Sequence, residues 1–460
     1  MKKWGIRGNT SVGTSQIEAG TTRGAVVERL LSPIAEVRPG EAKSVLLMAL
    51  VMFLILGAYY ILKTAREALI LSEGGAAVKS YSAAGQALLL LFLVPAFAAF
   101  ASRVNRIRLV RWVTLFFVAH LGLFFLIGES GVRIGIVYFI WVGIFNVMVI
   151  AQFWAFANDL YKQEQGKRLF PLIGLGSSVG AWVGSLYAGR LIGVLGTYPL
   201  LLVAGAILAF TVVIAAFVDK SAVRLVPQEQ AELAKQPLGK AGAFELIRKD
   251  KYLLLIALLV VLLNLVNSSG EYLLGRYAVT KANDTYGTGP ESKTTRENFI
   301  GQTYSRFFST VNLSGFLLQL FVVSRVFKFL GVRKALFIHP VTVFLGYLMM
   351  AGSPSIGKIY WLKVVDNSID YSLGNTTKQA LWLPTSREAK YKAKQAVDSF
   401  FMRAGDVLQA GVVFGGERLA FTTSSFSVLN LVMTAGWLSV VLMLNVLLQR
   451  KAREANTAEL

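Results

Sequence analysis

The sequence predicts an all-α polytopic membrane protein of twelve transmembrane helices arranged as two six-helix halves. Three observations carry that prediction. The 460 residues are 55% hydrophobic and only 16% charged. The apolar residues gather into runs long enough to cross roughly 30 Å of hydrocarbon as helix, about 20 residues each. The 47 Lys and Arg against 26 Asp and Glu, a formal charge of +21, fall mostly between those runs. A nucleic-acid binder of this basicity would be charged throughout, so the lipid bilayer is the expected partner and nucleic acid is not. With no cysteine and two histidines, a disulfide framework, thiolate catalysis and Cys-built metal sites are excluded.

Taken in order, the runs cover residues 44–62, 81–101, 109–127, 134–157, 171–195 and 197–218, and then 251–273, 300–323, 332–351, 358–383, 396–416 and 426–449. Residues 1–43 are polar and basic without an apolar core, and read as a partly disordered cytoplasmic tail rather than a leader. Residues 44–218 form the first bundle and 251–449 the second. Between them, 219–250 carries Pro227, Pro237 and a polar Gln/Glu run, and reads as a cytoplasmic linker; 450–460 is a second tail. Alternating the loops, each counted with the basic residues near the run ends beside it, puts 32 Lys/Arg on the side of both termini and 11 on the other. Positive charge is retained on the cytoplasmic side, so both termini are expected in the cytoplasm and the protein in the cell inner membrane.

The halves share a signature. Ser102-Arg103-Val104 follows the second run and Ser324-Arg325-Val326 the eighth, each with a Val-Arg whose arginine stands nine residues after the serine, at an offset of 222 residues. Arg-rich cytoplasmic turns are common in any membrane protein, but gap-free alignment favours a duplicated six-helix unit. Six plus six helices with a central cytoplasmic loop resembles the major facilitator superfamily. That resemblance implies a cavity lined by the first, fourth, seventh and tenth helices.

Ionisable groups inside spans are costly and mark functional candidates. On the first helix Tyr59, Tyr60, Lys63, Arg66 and Glu67 end the run, with Lys63, Arg66 and Glu67 on one face; snorkelling at a helix end is the alternative. The fourth ends in an aromatic cluster around Trp154 and Phe156 with Asn158 and Asp159, which reads as a stacking surface or an interfacial belt. The seventh carries Asn264, Asn267, Ser268, Ser269 and Glu271, the last either in the cavity or beyond the membrane edge. On the tenth, Lys363, Asp366, Asp370, Thr377 and Lys378 share roughly one face. That stripe is either a charged wall of a substrate path or a structural ion-pair ladder. Arg306, Arg403 and Asp406 add charge nearby.

Other motifs carry less. Gly174, Gly176, Gly180, Gly184 and Gly189 on the fifth helix suit close helix packing. Residues 352–358 resemble a P-loop, but Ile359 stands where the magnesium-binding Ser/Thr belongs and no strand precedes it. His120 and His339 read as satisfied packing positions. No nucleophile–base pair, metal cluster or cofactor loop is present, so no cofactor, no metal and no enzyme is expected.

Four segments together resemble the bacterial and plastid ATP/ADP translocase family. They are Tyr60-Ile61-Leu62-Lys63-Thr64-Ala65-Arg66-Glu67, Phe153-Trp154-Ala155-Phe156-Ala157-Asn158-Asp159, Gly166-Lys167-Arg168-Leu169-Phe170-Pro171-Leu172-Ile173-Gly174-Leu175-Gly176 and Tyr371-Ser372-Leu373-Gly374-Asn375-Thr376-Thr377-Lys378. The last continues through Leu383-Pro384, Lys392-Ala393-Lys394 and Ala396-Val397-Asp398. The resemblance implies a nucleotide transporter working by alternating access, with the family's charged positions falling at Arg66-Glu67, Glu271 and Lys378. Its fourth-helix acid falls at Val142, where this chain has none. The expected substrate site is therefore Lys63, Arg66, Asn158, Glu271, Asp370 and Lys378, with Tyr59, Tyr60, Trp154 and Phe156 available to stack on a base. Lys and Arg suit phosphate because charge-assisted bonds to it are strong. The substrate is a nucleotide or another phosphorylated anion, exchanged or imported, and the carrier is expected to work as a monomer. A proton-coupled carrier of another anion, driven through Glu271 or Asp370, and a non-transporting scaffold or sensor are the rival readings.

Overall fold

The computed structural model describes residues 36–38, 41–101, 104–161, 163–221, 242–352, 356–386 and 388–458. The tail expected before residue 36, most of the linker at 219–250 and Ser102-Arg103 of the repeat lie outside these. Among the described residues there is no strand. The principal helices are α1 (Ala42–Ala101), α2 (Arg106–Glu129), α3 (Gly135–Leu160), α4 (Gln163–Leu195), α5 (Pro199–Ser221), α6 (Ala243–Lys249), α7 (Lys251–Tyr286), α8 (Lys293–Leu318), α9 (Ser324–Gly352), α10 (Ile356–Ile369), α11 (Asn375–Ala380), α12 (Met402–Arg418) and α13 (Thr423–Ala458).

Among the described residues eight helices are long and apolar enough to cross a membrane, and two of these run for 60 and 63 residues. Each long one is broken at a glycine of left-handed backbone, Gly75 (φ 74°) in α1 and Gly331 (φ 68°) in α9. Such a φ is cheap only without a Cβ. At Gly75 the chain turns back: Lys79 Nζ lies 2.7 Å from Glu67 Oε2, whereas twelve residues of straight helix would separate them by about 18 Å. The first helix thus continues to Gly74, well beyond the expected end of the run at residue 62. Lys63, Arg66 and Glu67 therefore sit within a helix rather than at its end, and Glu67 is 1% exposed.

Contacts along the chain place the two ends of the bundle. Ser44 and Tyr161 share a hydrogen bond (2.8 Å), Glu41 pairs with Arg168 (3.0 Å), and Tyr252 donates to the Leu381 carbonyl (2.7 Å) at the end bearing both chain termini. At the other, distal end Glu73 accepts from the Gly135 amide (2.7 Å), satisfying an orphan N–H of the first turn of α3. Polar residues cap where helices begin: Asn105 accepts from Ile107 N and Asp250 from Tyr252 N.

Close packing inside the first half follows from small residues. A Cβ on Gly176, Gly180 or Gly184 would run into the backbone carbonyl of Ala49, Phe53 or Gly57 respectively. Two helices thus meet backbone to backbone along a four-residue period, the role expected of these glycines.

Candidate functional site

Where the halves meet, a cavity of about 280 Å³ opens, at the small end of the range for ligand sites. The first half lines it with Tyr59, Lys63, Arg66 and Glu67 from before Gly75, with Lys79, Ser80, Ala83 and Gln86 from after it, and with Gly143 and Asn146 of α3. The second half supplies Asn264, Asn267, Ser268, Glu271 and Tyr272 of α7, Phe308 of α8, Asn367 of α10, Tyr371 of the following turn, and Arg403, Asp406 and Gln409 of α12. The helices named by the major-facilitator resemblance are all present, and α12 joins them.

Four lining cations, Lys63, Arg66, Lys79 and Arg403, face three lining carboxylates, Glu67, Glu271 and Asp406. Glu67 is claimed twice, by Arg66 (Nε 3.1 Å) and by Lys79 (2.7 Å). Asp406 pairs with Arg403 (3.3 Å) and accepts from Asn264 (2.8 Å) and Ser268 (3.0 Å). Glu271 accepts from Asn367 (3.0 Å), with Lys79 at 3.6 Å and Lys363 at 4.0 Å. Among the described residues Lys63 has no carboxylate within ion-pair distance. Its ammonium instead stands 4.2 Å from the Phe308 ring centre and 5.2 Å from that of Tyr60. An aromatic face is a weaker and more easily displaced partner than a carboxylate.

The halves are tied together next to this cavity and toward the distal end. Lys79 reaches Glu271 and the Tyr304 hydroxyl (3.4 Å). Gln409 donates to Ser80 (3.1 Å), Ser305 donates to the Ser185 carbonyl (2.6 Å) and accepts from the Gly189 amide (2.9 Å), and Asn312 donates to the Ala181 carbonyl (3.2 Å).

Of the residues expected at the site, the structure brings Lys63, Arg66, Glu271 and Tyr59 to one cavity. Tyr60 lies just behind it, edge-on to Tyr59 and Phe308. Trp154 packs on Phe153 and Phe170, Phe156 is buried, and Asn158 is exposed on α3; none of the three lines the cavity. Lys378 and Asp370 pair with each other at 3.1 Å, and Lys378 lines a separate small cavity of about 20 Å³. The expected single stripe on the tenth helix is split, because Asp370–Gly374 forms a π-turn. An inserted residue of this kind rotates the helix beyond it and turns Lys378 out of the stripe; Asn367 and Tyr371, four residues apart, reach the cavity, while Lys363 and Asp366, on another face of the helix, are buried behind it. Arg306 is exposed on α8.

Sequence reasoning missed Lys79. It stands in what reads as the loop between the first two runs, and only the reversal at Gly75 folds it back onto Glu67. The signal available was Gly74-Gly75, a pair of helix breakers four residues before an isolated lysine.

Comparison with known proteins agrees with the motifs. Residues 135–347 match the family described as TLC ATP/ADP transporter. ADP,ATP carrier protein 1 of Chlamydia pneumoniae is 24% identical over 347 residues, covering 65% of this chain and 64% of that protein. ADP,ATP carrier protein 4 of Rickettsia felis is 25% identical over 310 residues, 56% of each. The matched part is thus just under two thirds of the length of the first relatives. Among solved structures, a POT family transporter in complex with 5-aminolevulinic acid superposes with a TM-score of 0.64 at 12% identity, covering 89% of this chain and 96% of that one. The nucleoside transporter NupG does so at 0.57 and 14% identity, covering 87% and 98%. These likenesses show that the chain shares the fold of these solved transporters. The motifs and the comparisons thus point the same way: the chain is similar to the ADP,ATP carriers and matches the TLC ATP/ADP transporter family across residues 135–347.

Proposed function

We propose that the chain is an alternating-access carrier that exchanges or imports nucleotides across the cell inner membrane, without catalytic chemistry of its own. The observation that carries this reading is Lys63: a lysine in the cavity between the halves, held by rings, beside three cations already paired. A phosphate chain entering there meets Lys63 first and then competes with Glu67 for Arg66 and Lys79. Tyr59, Phe308 and Tyr371 offer ring faces to a base.

The twelve helices of the carrier follow if Gly75 and Gly331 each divide one long helix into two spans and if α10–α11 and the stretch 388–418 cross as well; the last two are too charged to pass as spans on hydropathy. Both termini then lie in the cytoplasm. Closure of the distal end rests on Lys79, which joins Glu67 of its own half to Glu271 of the other. Phosphate drawing Lys79 away loosens that tie, and an empty cavity restores it, so the halves rock only when loaded. Exchange of ATP for ADP would move about one charge per cycle, worth roughly 2.3 kcal/mol per 100 mV.

Uptake of radiolabelled ATP and ADP into proteoliposomes tests the reading. Counter-substrate-dependent uptake supports it; no uptake of any nucleotide, with the protein folded, sinks it. One observation favours keeping other phosphorylated anions in that screen. Val142, where the family resemblance places an acid, is fully buried, and its neighbours Gly143 and Asn146 face the cavity in its place.

A further inference from the structure

Behind the cavity wall the second half holds a row of ionisable groups that phosphate binding does not use. Glu271 stands at the cavity. Lys363, with a side chain 0% exposed, lies 4.0 Å from it and donates to Asn267 Oδ1 (2.6 Å) and to Asp366 Oδ2 (2.6 Å). The other oxygen of Asp366 meets His339 Nε2 at 2.8 Å. His339 Nδ1 is buried and has no partner among the described residues. It does have a gap in front of it: a Cβ placed on Gly374 would stand 3.1 Å from His339 Nδ1 and 3.3 Å from Asp370 Oδ1. That gap belongs to the second cavity, lined by His339, Gly374, Thr377 and Lys378, whose volume of about 20 Å³ suffices for a single water. Asp370 is in turn paired with Lys378 (3.1 Å), near the end of the bundle that bears the termini.

We infer that this row, Glu271–Lys363–Asp366–His339–water–Asp370/Lys378, is a proton relay through the second half, linking the central cavity to the terminus-bearing end. The inference rests on the carrier reading and adds to it that transport moves protons with the anion. Histidine suits such a station because one ring nitrogen can accept a proton while the other releases one. A proton delivered through the water binds Nδ1; the proton on Nε2 passes to Asp366. Asp366 passes one to Lys363 as the ammonium gives one to Glu271, so Asp366 and Lys363 end with the number of protons they began with, His339 ends as its other neutral tautomer, and the delivered proton rests on Glu271. The break in the row is the 4.0 Å between Lys363 and Glu271, beyond hydrogen-bond range. It lies at the cavity wall, where phosphate competes for Lys79, the other cation of Glu271. Proton delivery is thereby tied to occupancy.

The groups facing His339 are few. α10 presents Asp366 with Lys363 behind it, the following turn and α11 present Asp370 and Lys378, and α7 presents Glu271 beyond Lys363. α13 offers the uncharged edge of Trp437, its ring centre 4.9 Å away. Tyr347, on the helix that carries His339, adds a hydroxyl near the Lys363 stem at Gly270.

The chain has two histidines, and His120 is partly exposed, bonded to the Phe116 carbonyl (2.8 Å). The variant His120→Gln therefore isolates His339 for nitrogen-15 NMR of the full-length protein in lipid. Nδ1 of His339 should exchange with solvent on the NMR time scale despite its burial, and Gly374→Ala, which fills the water gap without removing a charge, should slow that exchange at least tenfold. In proteoliposomes loaded with a pH-sensitive dye, an ATP or ADP gradient should move protons, and His339→Gln and Gly374→Ala should cut that flux at least tenfold. Nucleotide binding, read by thermal shift, should remain. Nucleotide transport with no proton movement overturns the relay, as does solvent exchange unaffected by Gly374→Ala. Absence of nucleotide binding in every variant with exchange intact overturns the nucleotide reading and leaves the relay supported.

Discussion

Lys63 and Glu67 are four residues apart on one helix and have opposite circumstances. Glu67 holds two cations inside the protein, so removing its charge leaves Arg66 buried without its counter-ion and Lys79 with only the longer contact to Glu271. Glu67→Gln should destabilise the protein by about 3–5 kcal/mol, the usual cost of breaking a buried pair from one side; an unchanged denaturant midpoint in detergent would contradict this. Lys63 forms no ion pair among the described residues, and Lys63→Ala should leave that midpoint nearly unmoved while lowering nucleotide uptake at least tenfold. The sequence shows both residues as charges in an apolar run. Which of them is bound and which is available depends on Lys79, and Lys79 is placed by a chain reversal.

At the scale of elements, small residues and short turns decide more than long apolar stretches do. Gly180 lets α4 lie against the backbone of α1 at Phe53. Because the atom in the way is a main-chain carbonyl that cannot rotate aside, Gly180→Ala should cost about 1–3 kcal/mol as overpacking, read as a lowered unfolding temperature, whereas Gly174→Ala, with open space around it, should not. The first turn of the bundle is pinned at its terminus-bearing end by Glu41 and Arg168. Burial opposes ionisation of Glu41, but hydrogen bonds from Arg168, the Arg38 amide and Gln165, with the charge of Arg168, together outweigh it and hold the carboxyl below its ordinary range. Lowered in the folded state, this group stabilises the fold at pH above the ordinary carboxylate value and loses its contribution as pH falls through and below it. The stability difference between the protein and Glu41→Gln should therefore be largest near pH 7 and shrink toward pH 4.

For the whole molecule, the lack of any cysteine makes topology directly measurable. Single cysteines at Ser130, Thr288 and Thr422 should react with a membrane-impermeant thiol reagent from the outer side of whole cells, and one at Ser386 only after permeabilisation. Labelling of Ser130→Cys and Ser386→Cys from the same side would refute the two-half arrangement. Binding that favours the folded state should appear as stabilisation: nucleotide at a hundredfold its Kd adds about 2.7 kcal/mol.

By itself the sequence determined that this is a helical membrane protein with charged residues in and beside its apolar runs, and which motifs resemble those of the ATP/ADP transporters. Those properties are local: apolar runs, glycine spacing and short charged words survive any arrangement of the helices. Only the tertiary structure decided which charges meet. Lys363 and Lys378 lie on one stretch of chain at helical spacing, but the π-turn at Asp370–Gly374 separates them, so one sits behind the cavity with Asp366 and His339 and the other by Asp370. Lys79 reads as part of a loop and becomes the tie between the halves. The physical reason is that an ion pair acts over a few ångströms, and distances of that size between residues on different helices are set by backbone reversals and helix packing, not by position along the chain.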